Sequence, residues 1–90
     1  MQYVIYDLGE HKKGSVAEIQ LSSATNVRLM DKVNLDYMKF GKEYTYFGGY
    51  VSTSPFFLTI PETRRWFLLI DLVGPLKHSV VVHPPRLPDA

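Results

Sequence analysis

Hydrophobic and polar positions alternate with a period of two along most of this chain, and that period predicts strands. Val4, Tyr6 and Leu8 share one face of a run over residues 3–8, which Gly9 ends. Lys13-Gly14 turns the chain into residues 15–22, where Ala17, Ile19 and Leu21 face one way while Glu18 and Gln20 face the other. These two runs read as a hairpin. A third strand, residues 26–31, sets Val27 and Leu29 inward. Residues 31–40 break the alternation: Leu35 and Met38 recur at helical spacing, Asn34 is placed to cap the start and Gly41 to close the end. One short helical turn is predicted there. Strand four, residues 43–47, stops at Gly48-Gly49 and resumes at Tyr50-Val51. Strand five, residues 56–60, starts after Ser54-Pro55. Strand six, residues 66–72, ends before Gly74-Pro75, and strand seven, residues 79–83, ends at Pro84-Pro85.

About seven short strands with glycine or proline turns argue for an all-β, antiparallel sandwich or barrel filling residues 1–83. Residues 84–90 are proline-rich and read as a tail or linker. The Pro85 to Pro88 spacing is one that proline-recognition grooves accept, but a spacer is the simpler reading.

Each strand of a sandwich should have one core face and one wet face. Strand six sets Trp66, Leu68, Ile70 and Leu72 on one face, yet carries Phe67 and Leu69 on the other. Strand five adds Phe57 and strand seven adds Val81. With these three strands taken as neighbours, Phe57, Phe67, Leu69 and Val81 form a second apolar stripe that needs cover. Residues 31–40 folding over as a lid, a homodimer, or a protein partner would each provide it.

Ninety residues make one small domain, and 46% hydrophobic content places it among chains that fold. The absence of cysteine excludes disulfides, thiolate catalysis and cysteine-ligated metals. A net charge of +1 gives no bulk attraction to nucleic acid, and His11-Lys12-Lys13 and Arg64-Arg65 read as solvated turn charge. The longest apolar stretch, residues 66–73, is interrupted by Asp71 and falls far short of the roughly 20 residues that span a bilayer. No cationic start with an apolar run opens the chain, so a cytoplasmic protein is expected.

Signatures of catalysis are sparse. His11, His78 and His83 lack metal-ligand spacing, and positions 78 and 83 fall on opposite faces of a strand because their separation is odd. No nucleophile elbow or phosphate-cradling loop is present. The expectation is a protein that is not an enzyme and uses no cofactor or metal. Asp71, after five consecutive apolar residues, has to be paired or hydrogen-bonded. Arg28 offers a planar fork, and pairing with Asp31 or with Asp71 stands beside the alternative that Arg28 and an acid line a polar pocket. In the stretch YTYFGGY, residues 44–50, the rings either pack at a corner or present a stacking surface. The candidate recognition surface is therefore Arg28, Asp31, Tyr46, Tyr50 and Asp71.

Several blocks carry a resemblance over most of the chain: YDLG at residues 6–9, NVRLMD at 26–31, YFGGY at 46–50, Ser54-Pro55, Trp66 and Ile70-Asp71. Together they resemble the bacterial domain of unknown function eighteen-eighty-three. The resemblance implies a jelly-roll-like β-sandwich, found alone or joined to TIR domains, without a defined catalytic or ligand residue. A TIR-type effector in related proteins would make it an accessory domain of bacterial signalling or defence. The function expected is a non-catalytic recognition or oligomerisation module. The alternative is a small-ligand, carbohydrate-like binding domain that stacks on Tyr44, Tyr46 or Tyr50 and anchors through Arg28 or Asp71.

Overall fold

A computed structural model describes residues 2–85. Seven strands and one helix follow in the order β1 (Tyr3–His11), β2 (Val16–Leu21), β3 (Thr25–Asp31), α1 (Lys32–Lys39), β4 (Phe47–Val51), β5 (Phe56–Thr59), β6 (Arg64–Asp71) and β7 (His78–His83). They form two antiparallel sheets, ordered β1-β6-β3-β4 and β5-β2-β7. Every connection except β3 to β4 changes sheet, so the sandwich is woven from the alternation of layers that a jelly roll also uses. The proposed linker lies mostly outside the described residues. Its first two prolines are described, and Pro85 packs 3.6 Å from where a Cβ on Gly14 would stand.

The period-two faces hold. Ala17, Ile19, Val27, Leu29, Trp66, Leu68 and Ile70 are buried between the sheets, with Val4, Tyr6, Leu8, Phe56, Leu58, Val80 and Val82 packed around them. The partners differ from the expected ones. β1 and β2 are not a hairpin: β1 pairs with β6 and β2 pairs with β5 and β7, because each run buries its apolar face best across the sandwich from the other. β1 also does not end at Gly9; it takes a bulge between Asp7 and Gly9 and continues to His11.

The four-residue apolar stripe is corrected by the same topology. Phe67 and Leu69 lie on the outer face of the first sheet, whereas Phe57 and Val81 lie on the outer face of the second. Phe67 and Leu69 are buried with Met30 and Leu35 beneath α1, the lid expected from residues 31–40. Phe57 and Val81 remain 54% and 56% exposed, in one row on either side of Glu18.

Helix α1 starts one residue after β3, and Asp31 rather than Asn34 is its N-cap. The Asp31 carboxylate accepts from the Asn34 amide nitrogen at 3.0 Å and from its side-chain Nδ2 at 2.9 Å. At the other end the Lys42 amide donates to the Tyr37 carbonyl at 2.8 Å and the Gly41 amide to Met38 at 3.1 Å. That is a Schellman closure, and Gly41 supplies the positive φ it requires, at +71°.

Gly48-Gly49 does not stop a strand. Both glycines lie inside β4, opposite Arg28 and Val27. A Cβ on Gly48 would stand 2.3 Å from the Val27 carbonyl oxygen, so β4 reaches β3 in this geometry only where that atom is missing.

Candidate functional site

The outer face of the first sheet is half covered by α1, and the uncovered half carries the charged residues. Asp71 closes β6 opposite Tyr3 of β1, and Arg28 stands on β3 opposite Leu69, two residues before Asp71. Side chains diagonal across neighbouring strands are within reach of a long residue. Arg28 Nη2 accordingly donates to Asp71 Oδ1 at 2.6 Å, while Nη1 donates to the Tyr44 hydroxyl at 2.8 Å. The Asp71 side chain is 9% exposed and that of Arg28 18%. Asp71 is held from behind as well, since the Thr25 hydroxyl donates to its backbone carbonyl at 2.6 Å.

Tyr44 reaches Arg28 from the loop between α1 and β4. Asn34 fixes that loop: its side-chain oxygen accepts from the Thr45 amide at 2.9 Å while its side-chain nitrogen donates to the helix cap. The Tyr44 ring rests on the apolar cluster under α1 and packs against Tyr46, with 5.9 Å between ring centroids. Burial works against the charge on Arg28, but the Tyr44 phenol and the Asp71 carboxylate outweigh it and hold the guanidinium above its ordinary range.

In front of this pair lies an open cleft of about 470 Å3 lined by Tyr3, Arg28, Met38, Lys39 and Asp71. Its floor is the sheet and one wall is the last turn of α1. Among the described residues, Asp71 Oδ2, the phenol proton of Tyr44, the Tyr3 hydroxyl and the Lys39 ammonium meet no hydrogen-bonding partner, and Arg28 Nε is buried without one. The arrangement offers a fixed fork of donors, one acceptor oxygen and an aromatic wall.

Of the residues singled out from the sequence, the structure joins Arg28 and Asp71 and places Tyr46 behind Tyr44. Tyr50 shares the outer face of β4 beyond Gly48 and is 72% exposed, outside the cleft wall. Asp31 is elsewhere: it caps α1 and pairs with Arg64 at 2.9 Å. Burial raises its pKa, but the Asn34 hydrogen bonds and then Arg64 prevail and hold the carboxyl below its usual range. Arg64 and Arg65 are therefore not free turn charge; they open β6, and Arg65 pairs with Asp7. Positions 78 and 83 do face opposite ways. His78 meets the Tyr6 hydroxyl at the edge of the core, and His83 meets Glu18 at 2.8 Å on the outer face of the second sheet. The sequence reading missed Tyr3, Met38 and Lys39, which join the site only through the β1–β6 register and the length of α1.

Among the described residues, no helix is long and apolar enough to cross a membrane and no histidine and carboxylate cluster could hold a metal ion. No curated protein and no solved structure matches the chain. A family model does match, over residues 1–85, and the chain accordingly belongs to the family described as a domain of unknown function, DUF1883.

Proposed function

We propose that this domain is a non-catalytic recognition module that works through the cleft at Arg28 and Asp71. The observation that carries this reading is the mostly buried Arg28–Asp71 pair, both members of which line a concave cleft together with Tyr3. Concave sites with a few fixed polar groups are where proteins bind small molecules and chain ends. Arg28 keeps its proton across the physiological range, so it serves as a fixed donor rather than as an acid or base. In a cytoplasmic bacterial protein such a module would act as an accessory domain of signalling or defence, presenting what it binds to an attached or separate effector.

Thermal-shift screening of the purified chain against small metabolites tests this. The expected result is at least one stabilising compound whose effect disappears in Tyr3→Ala, lining the cleft, and persists in Phe57→Ser on the opposite sheet. Stabilisation that survives Tyr3→Ala would move the site elsewhere.

A second reading, self-association, is supported by the row Phe57, Glu18 and Val81, which leaves two apolar side chains more than half exposed on the second sheet. Sedimentation at micromolar concentration, with Phe57→Ser as the comparison, tests it.

A further inference from the structure

We propose that the ligand of the Arg28–Asp71 cleft is a neutral polyhydroxylated ring, a sugar, recognised through two adjacent hydroxyls. This inference rests on the recognition reading above and names the chemistry of that same site.

Charge comes first. Arg28 and Lys39 bring two positive charges to the cleft and Asp71 one negative, and Lys39 stands in the last turn of α1, where the carbonyl end of the helix carries partial negative charge. Arg28 is already matched by Asp71 at 2.6 Å. An anion entering here would be drawn by Arg28 and Lys39 but would also have to sit beside the Asp71 carboxylate, which lines the same space. A zwitterion such as an amino acid would likewise set each of its charges close to one of the same sign in a single cleft. A hydroxyl meets neither repulsion, because it carries no charge and donates one hydrogen bond while accepting another. It can donate to Asp71 Oδ2 and accept from an Arg28 Nη hydrogen or from Lys39 while the pair stays intact.

Two neighbouring hydroxyls on a ring use the site more fully. The second can accept from the Lys39 ammonium, which lines the cleft and meets no hydrogen-bonding partner among the described residues. Hydrogen bonds to charged groups are stronger than neutral ones, so a polar ligand of no net charge gains from a charged pair held rigid by Thr25 and Tyr44. Tyr3 and Met38 supply the apolar wall. Tyrosine combines an apolar ring with a polar tip, which suits a ligand whose edges are hydroxyls and whose faces are C–H groups. The volume of about 470 Å3 lies within the range of about 300–1,000 Å3 for small-molecule sites.

The test is an amide chemical-shift titration of the whole chain with methyl hexopyranosides of differing hydroxyl configuration, and separately with inorganic phosphate and with L-alanine. The expected result is a saturable, configuration-dependent shift at Tyr3, Arg28, Lys39 and Asp71 with a sugar. Affinity should weaken at least fivefold in Tyr3→Ala and in Asp71→Asn and stay unchanged in Phe57→Ser, since one charged hydrogen bond or one ring contact is worth about a factor of ten. Should Asp71→Asn fail to fold, Lys39→Met at the exposed helix end takes its place. Cleft shifts with phosphate or alanine but with none of the sugars would overturn the ligand class and leave the recognition reading standing. Cleft resonances that move with no probe would overturn both.

Discussion

Arg28 and Asp71 are separated by 43 residues in sequence, yet the guanidinium donates to the carboxylate at 2.6 Å across the face of the first sheet. Removing one partner leaves the other charged and poorly hydrated, which costs more than the pair itself contributes. Arg28→Met should therefore lose about 1.5–3 kcal/mol. The double variant Arg28→Met, Asp71→Leu should recover part of that loss, because apolar side chains there extend the cluster under α1. Urea denaturation of the two singles and the double reads the coupling directly. Additive losses would mean that the two charges do not depend on each other.

Phe57 and Phe67 offer a sharp contrast in cover. Both stand on the solvent-side face of their strand, but Phe67 lies under α1 against Leu35 and Leu69, while Phe57 is open beside Glu18. Phe57→Ser should change stability by no more than about 0.5 kcal/mol, as exposed substitutions do. Phe67→Ala and Leu35→Ala should each cost about 2–5 kcal/mol, and Leu35→Ala should speed hydrogen exchange in α1 well before the sheets open. An equal response of the two phenylalanines would show that the helix does not protect its face of the sheet.

The two phenylalanines also show what could and could not be seen in the chain beforehand. Alternation assigns every strand residue to a face, since successive side chains point opposite ways, and Val27, Leu29, Leu68 and Ile70 are buried where the pattern puts them. Alternation carries no information on which sheet a strand joins. Phe57 and Phe67 thus look like members of one stripe although they end on opposite sides of the sandwich. The lid was legible because Leu35 and Met38 change the period. Its cap was misplaced because Asp31 and Asn34 are equally good capping residues, and only the bend from β3 into α1 selects the first. Arg28 and Asp71 were visible as polar residues in apolar runs. Tyr3 and Lys39 were not, since nothing local marks a residue that becomes relevant by standing opposite Asp71 or at the end of a helix.

Gly48 and Gly49 should respond differently to alanine. Both have positive φ, +120° and +145°, so each substitution forces a side chain into a backbone region it avoids, a strain of about 1–3 kcal/mol. Gly48→Ala adds a contact of 2.3 Å with the Val27 carbonyl, whereas a Cβ on Gly49 meets nothing within 4 Å. Thermal melts should show Gly48→Ala as clearly the worse of the two, with β4 released from β3 and Tyr50 displaced with it. Equal melting temperatures would remove the close approach as the reason for glycine at position 48.

Asp31 should make the fold sensitive to acid. Burial pushes its pKa up, but the Asn34 amide and side chain and then the Arg64 guanidinium outweigh that and hold the carboxyl below its usual range. The native state therefore binds fewer protons than the unfolded chain, in which an aspartate titrates at about 3.9. With more protons on the unfolded side, stability rises with pH through this window. The contribution is complete above the unfolded value and is lost as pH falls through the lower native one. Asp31→Asn keeps a good capping residue but cannot titrate or pair with Arg64. Wild type should exceed this variant in stability at pH 7, and the two curves should converge as pH falls below the unfolded value and through the lower native one. Asp7 is also held low, first by its hydrogen bond from Arg65, but it lies on the surface, where such pairs contribute little, so Asp7→Asn should leave the wild-type profile nearly unchanged. Parallel curves for wild type and Asp31→Asn throughout the acid range would mean that the cap gains nothing from its charge.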